Sequence, residues 1–401
     1  MSISAPEQEP LSGISVVSLE QAVAAPYATR QLADLGARVV KVERPPGGDF
    51  ARGYDHTVRG ESSYFFWLNR GKESLAVDLK HPDGLAIVHQ LLETADVLVH
   101  NLGPGAAARM GLDADAVAAS HPRIITATIS GYGKDGPWAD RKAYDLLIQA
   151  EAGLLSVTGS PGNVARTGVS IADIAAGMFT FSGILTALYT RAMTGVVRPV
   201  SVSLFDALVE WMSQPLYYGR YGGTPPLLTG ARHPTIAPYG PFISRDGDTV
   251  LLAVQNTPEW QRFCEVVLEA PELITDSRFA TNPDRVAHRN ELEPIISATA
   301  GGIRTDAFEQ RLRLAGVAHA RMNDVEQLAH HPVLTGRDRW RTVRTPGGDA
   351  DALAPPVALG GVEPSMGDVP ALGAHSRTIL RELGFSPEAI DGLFDAGVTS
   401  G

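Results

Sequence analysis

Short apolar runs alternate with longer amphipathic segments through the first third of the chain. Residues 14–19, 37–43, 75–79, 96–100 and 124–130 have the length and β-branched content of buried strands. Between them, Pro26 suits the first turn of a helix that runs to Leu35 and stops at Gly36. His81-Pro82-Asp83 opens another helix reaching Thr94, and Asp113 caps a short one. This strand–helix–strand repetition predicts an α/β, Rossmann-like domain with a parallel sheet and helices on both faces. Ligands of such sheets gather at the carboxyl ends of the strands. Those ends carry Leu19-Glu20-Gln21, Glu43-Arg44-Pro45-Pro46-Gly47-Gly48-Asp49, His100-Asn101-Leu102-Gly103-Pro104-Gly105 and Ser130-Gly131-Tyr132-Gly133.

The stretch 174–189 is uncharged and rich in small residues, with Ala176, Gly183 and Ala187 on one helical face. It reads as a buried helix, too short and too rich in Gly, Ala, Ser and Thr for a membrane span. Asp173 stands at its mouth. Local sequence allows two roles for that carboxylate: an N-cap that satisfies the first backbone amides, or a nucleophile held in a dry cleft. Beyond Asp206 the pattern changes again. Residues 217–226, rich in Tyr, Gly and Pro, read as a linker. A strand at 249–254 and helices near 259–268, 285–298 and 305–314 predict a smaller mixed α+β domain. Residues 341–371 read as loops, and helices at 376–383 and from Ser386-Pro387-Glu388 close the chain.

With 401 residues the chain can hold two cores. Its net charge of −11 argues against nucleic acid or anionic membrane as a partner, while leaving room for a local basic pocket. Cys264 is the only cysteine, which excludes an intrachain disulfide and a Cys-rich metal site and fits a reducing, cytoplasmic setting. The acidic start of the chain is unlike a signal peptide.

Arg44, Arg70, Lys72, Lys80, Arg109 and Lys142 fall near the strand ends, a distribution that suits a polyphosphate ligand. The turn after the first strand has no glycine, so the dinucleotide fingerprint is missing. The chain also lacks the Walker loop, the G-x-S-x-G elbow and H-E-x-x-H.

Several blocks taken together resemble the family III coenzyme A-transferases, the family that also contains alpha-methylacyl-CoA racemases. They include Leu35-Gly36-Ala37-Arg38-Val39-Val40-Lys41-Val42-Glu43, Asn69-Arg70-Gly71-Lys72 and Asn101-Leu102-Gly103-Pro104-Gly105 with Arg109-Met110-Gly111-Leu112. Tyr144-Asp145, Ala172-Asp173 with Gly177, Asp276-Ser277-Arg278-Phe279 and Leu372-Gly373-Ala374-His375 continue the series. The resemblance implies that Asp173 is the catalytic aspartate. It places Gln21, Arg44, Lys72, Asn101, Leu102, Arg109 and Lys142 along bound coenzyme A, and Val23, Tyr64, Tyr144 and Asp145 near the acyl group. It further implies an interlocked homodimer. Residues 1–215 would form the large CoA-binding domain, 226–325 the small α+β domain, and 326–401 a segment returning to the large one. Coenzyme A and its acyl esters would be substrates, with no permanently bound cofactor and no metal.

Two departures narrow the activity. Formyl-CoA transferases have glutamine where Val23 stands, and a run of glycines at 229–234. Racemases carry a histidine at the position of Tyr144, so the second acid/base for α-proton exchange is missing here. The expected reaction is therefore transfer of CoA between carboxylic acids through an aspartyl anhydride and an aspartyl-CoA thioester. The stretches 20–28 and 48–55 resemble the branch acting on mesaconyl-CoA, which implies short dicarboxylates of the mesaconate, itaconate or succinate type. Arg52, Arg166 and Arg232 are candidate partners for the distal carboxylate. Racemisation and simple acyl-CoA binding are the alternatives.

Overall fold

The computed structural model describes residues 9–223 and 228–401. Its chain divides into two compact units: residues 1–152, 167–213 and 336–401 in one, and 153–166 with 214–335 in the other.

The first unit is built on β1 (Ser15–Leu19), α1 (Ala24–Asp34), β2 (Arg38–Glu43), α2 (Ser63–Asn69), β3 (Lys72–Val77), α3 (Pro82–Leu92) and β4 (Val97–His100). The short helix α4 (Ala106–Arg109), α5 (Ala114–Ser120), β5 (Ile125–Ser130), α6 (Asp145–Glu151) and the long helix α7 (Ile171–Thr194) follow. A strand at Val200–Ser203 and α8 (Leu204–Trp211) complete this stretch. The sheet order is β3, β2, β1, β4, β5, then Val200–Ser203, all parallel. Thr399–Ser400 pairs antiparallel on the outer edge of β3. The order reverses between β1 and β4, which opens a crevice at their carboxyl ends.

Apolar side chains of one sheet face, including Val17, Val40, Leu75 and Leu98, pack on Ile87 and Leu91 of α3 and on Ile379 and Leu380 of the helix Ser376–Glu382. On the other face α7 packs against α1 and β5. By length and composition α7 could cross a membrane, being longer than its uncharged run suggests. Ala172, Ala175, Ala176, Gly177, Ile184 and Ala187 bury a small-residue face inside the unit. Gly177 is needed there: a Cβ would lie 2.7 Å from the Ala24 carbonyl oxygen.

The second unit has a three-stranded antiparallel sheet, Ala318–Arg321, Thr249–Ala253 and Tyr239–Ile243, packed on helices through Trp260, Phe263, Phe279 and Phe308. Residues 153–166, expected in the first domain, belong to this unit, and the chain returns to the first at Gly336 rather than 326. Part of the expected linker is helix Ser213–Gly222, while 224–226 lie outside the described residues. The expected loop after 340 contains an antiparallel hairpin, Trp340–Thr345 with Gly348–Leu353. Its charged outward residues hide the alternation that buries Val343 and Ala352. At its turn, a Cβ on Gly347 would overlap the Arg59 carbonyl, so only glycine fits.

Candidate active site

Asp173 does not cap its helix. It is the third residue of α7, behind the N-cap position Ser170, whose side chain makes no capping bond. The amide-binding task falls to Asp145, at the first position of α6. Its Oδ1 accepts from the backbone nitrogens of Ala172 at 2.8 Å and Asp173 at 3.3 Å. Ile171 N donates to the Val169 carbonyl and Ile174 N to that of Ser170. The amides of Ile171, Ala172, Asp173 and Ile174 are thereby used, and the carboxylate of Asp173 accepts from none of them.

That carboxylate accepts no hydrogen bond among the described residues. Burial pushes its pKa up to about 7, and the negative charge of Asp145 adds to the rise. The nearby phenols belong to Tyr54, Tyr64 and Tyr144. Burial, with Asp49, Asp173 and the two other tyrosines as further causes, raises the Tyr54 hydroxyl to about 12, so it stays protonated. Tyr64 is half-buried, set edge-on against Tyr54 with ring centroids 5.4 Å apart, and Tyr144 is 66% exposed. Tyr54 was missed in the sequence because it follows the short 3₁₀ turn Phe50–Gly53, which periodicity does not reveal.

The start of α1 borders α7 through the close approach of Ala24 and Gly177. Val23 occupies its N-cap position with a buried side chain and offers no side-chain cap. The turn before it is fixed twice. Gln21 N donates to Asn101 Oδ1 at 2.9 Å, and Asn101 Nδ2 donates to the Gln21 carbonyl at 2.8 Å. This reciprocal pair bridges the ends of β1 and β4, at the point where strand order reverses. Ala22, at φ 60°, donates its amide to Asp49 Oδ1 at 3.0 Å. Beside this turn a cavity is lined by Gln21, Arg44, Gly48, Leu79, Lys80 and Leu102. Arg44, Arg109 and Lys142 are exposed, and none has an ion-pair partner among the described residues.

Lys72 is a different case. Its Nζ is fully buried and donates to Glu20 Oε1 at 2.6 Å, the Pro26 carbonyl at 3.1 Å and Asn69 Oδ1 at 3.0 Å. Instead of facing phosphate at the sheet edge, it belongs to an internal network in which Lys41 pairs with Asp49 at 2.8 Å. Burial would push Glu20 up, yet Lys72 and Lys41 hold it below the ordinary carboxylate range. The sequence could not show this, because Lys72 lies inside β3 rather than in the turn before the expected strand. Arg52 is likewise engaged: it pairs with Glu43 at 2.8 Å and stacks 3.6 Å from the centre of the Phe65 ring. Arg232, in the second unit, pairs with Glu293 at 2.7 Å.

Known proteins match this chain in sequence and in fold. Residues 11–376 match the model of CoA-transferase family III. A succinate–glutarate CoA-transferase of Agrobacterium fabrum is 33% identical, with 93% of this chain and 96% of the relative covered. The mouse succinyl-CoA:glutarate CoA-transferase is 34% identical, with 97% and 90% covered. A crystal structure of a CAIB/BAIF family protein from Brucella suis superposes with a TM-score of 0.84 at 31% identity, over 94% of this chain and all of that one. With the match running from the turn before β1 to the helix that backs β3, this chain belongs to CoA-transferase family III.

Proposed function

We propose that the protein transfers coenzyme A between short dicarboxylic acids, with Asp173 as the covalent acyl carrier. The observation that carries this is the state of Asp173: half-buried near the start of α7, with no protein donor on its carboxylate among the described residues and its pKa raised by burial to about 7. A carboxylate partly withdrawn from water and free of protein donors is a stronger nucleophile than a fully hydrated one.

In the first step an Asp173 oxygen attacks the donor thioester carbonyl; the C–S bond breaks, giving a mixed anhydride and CoA thiolate. The thiolate then attacks the aspartyl carbonyl, releasing the donor acid and forming an aspartyl-CoA thioester. The acceptor carboxylate attacks that thioester, giving a second anhydride and thiolate, and attack by the thiolate on the acceptor acyl carbon restores Asp173. One thioester is exchanged for another, so no external energy source enters.

Coenzyme A would lie across the end of the sheet, against Gln21, Asn101 and Leu102, with Arg44, Arg109 and Lys142 toward its phosphates. Tyr64 and Tyr144 would face the acyl group. The dicarboxylate assignment draws on the succinate and glutarate named for the relatives. A homodimer of the interlocked type is part of the same proposal, in a cytoplasmic setting. Met178, Phe179, Tyr189 and Met193 leave a flank of α7 exposed, and a second copy is the partner that would cover it. Light scattering would test it: a monomeric mass at micromolar concentration overturns the dimer.

The central test is chemical. Purified protein is turned over with succinyl-CoA and glutarate, mesaconate or itaconate, then quenched with hydroxylamine or borohydride. Mass spectrometry should find modification at residue 173 and nowhere else. Product accumulating while residue 173 stays unmodified would refute the covalent mechanism. Failure of all three acceptors would refute the substrate class alone.

A further inference from the structure

The covalent role of Asp173 leaves Asp145 and Gln149 unexplained. Gln149 is fully buried at the far end of α6, and both ends of its amide are committed. The Thr167 backbone N–H donates to Oε1 at 3.2 Å, so Nε2 must be the group that faces Asp145, donating to its Oδ2 at 2.7 Å. The other Asp145 oxygen holds the amides of Ala172 and Asp173. Each link fixes the next, from the segment before α7, through α6, to the backbone of the nucleophile.

We propose that Asp145 is a positioning residue that keeps Asp173 reactive: it occupies the helix amides that would otherwise stabilise the Asp173 carboxylate, and sets a second negative charge beside it. Gln149 holds Asp145 in that geometry. A carboxylate in the first turn of a helix is normally favoured by the free amides and by the positive end of the helix dipole. Here a neighbouring carboxylate has taken that place, and the nucleophile remains poorly stabilised in its charged form. The assignment rests on Asp173 being the acyl carrier. It differs from the acyl-contact role that the family resemblance implies for Asp145.

Other ionisable groups lie on the elements packed around the start of α7. α1 contributes Tyr27 and the mutually paired Arg30 and Asp34, the segment after β2 contributes Tyr54, and α2 contributes Tyr64. Tyr144 precedes α6, Glu151 of α6 pairs with Arg141, and Arg166 lies in the segment before α7. Asp206 of α8 is engaged by Ser203 Oγ at 2.6 Å, and Glu210 lies further along the same helix. Among these, Asp145 is the one that acts on Asp173 as a charge.

Two variants test the proposal in opposite directions, with kcat/KM for succinyl-CoA and glutarate measured from pH 5 to 9. Asp145→Asn keeps a carbonyl oxygen for the amides but removes the charge, so the acid limb should move down by about one pH unit, roughly tenfold more activity relative to the plateau on that limb. Gln149→Glu keeps an acceptor for Thr167 but sets a second carboxyl against Asp145; the two share one proton until the pair ionises fully, and above that point the limb should move up. A purely structural cap would lower activity in both variants and leave the limb where it is, and that result overturns the proposal. If Asp145→Asn does not fold, as judged by its thermal transition, Gln149→Glu decides alone. Hydroxylamine trapping separates the two levels: residue 173 labelled with an unmoved limb refutes only the role of Asp145, whereas residue 173 unlabelled in the native enzyme refutes the carrier itself.

Discussion

Asp145 Oδ1 sits 3.3 Å from the backbone nitrogen of Asp173 and 2.8 Å from that of Ala172, so one carboxylate caps the helix that carries the other. The division of labour removes the capping role open to Asp173 on sequence alone. It also bears on how the proposed acyl carrier responds to pH.

As the proposed acyl carrier, Asp173 would have to be ionised to attack, and its carboxyl is raised to about 7, so kcat/KM should rise with pH through that value on a limb of unit slope. An ordinary aspartate would give a flat profile down to about pH 4. Initial rates at subsaturating acyl-CoA between pH 5 and 9 check this. A kcat/KM profile still flat at pH 5.5 would show that the carboxyl of the free enzyme is not raised, and would refute this account of its surroundings.

The same shift has a consequence for stability, with its sign fixed by linkage. The folded-state pKa lies above the unfolded value of 3.8, so the stability that this group contributes is fully present below about pH 4 and declines as pH rises toward 7. Asp173→Asn should therefore be inactive yet melt a few degrees higher than the native protein at pH 8, a gain on the order of 1–2 kcal/mol. The difference should shrink toward pH 5, where the native carboxyl is protonated. Thermal scans of both proteins at the two pH values measure it, and a lower melting temperature for the variant at pH 8 would contradict the burial of an under-solvated charge.

Much of this site was legible in the sequence, and what was not has physical causes. The cation-bearing strand ends and the small-residue face of α7 follow from spacing and residue type, since Gly and Ala at helical intervals let another element approach closely. Asp173, in contrast, is open to two roles locally, and its catalytic one is implied by the family resemblance alone. The capping link is invisible in the same text. Asp145 lies 28 residues from Asp173, and only the packing of α6 on α7 brings them together. Lys72 and Arg52 show the converse error. A cation near a strand end reads as a phosphate or carboxylate ligand, while its acidic partner, Glu20 after β1 or Glu43 at the end of β2, is distant in sequence or placed by the fold and cannot be paired by inspection.

Lys72 and the exposed cations therefore make contrasting predictions. Lys72→Met would leave Glu20 buried with one fewer counter-charge, and should cost about 3–5 kcal/mol of stability. Arg44→Ala, Arg109→Ala and Lys142→Ala remove exposed charges with no ion-pair partner among the described residues, so stability should hold within about 0.5 kcal/mol. Each should instead raise KM for the CoA ester about fivefold, the equivalent of about 1 kcal/mol per phosphate contact. Urea titration beside Michaelis kinetics separates the two classes. A Lys72→Met protein of native stability and raised KM would return that lysine to the ligand.

Gly177 tests whether the α1–α7 contact governs the reaction as well as the fold. A methyl group there would sit 2.7 Å from the Ala24 carbonyl and 3.0 Å from Tyr27, tighter than packed atoms tolerate. Gly177→Ala gains helix propensity of about 1 kcal/mol, but overpacking costs about 1–3 kcal/mol, so a small net loss of stability is expected. The larger effect should fall on kcat. Pushing the start of α1 away from α7 displaces the turn 21–25 relative to Asp173 one helical turn above, and misplacement near 1 Å can cost on the order of a hundredfold. KM for the CoA ester should change little, because Gln21 and Asn101 still lock their turn to the end of β4. Loss of stability with an unchanged kcat would mean that the contact serves packing alone.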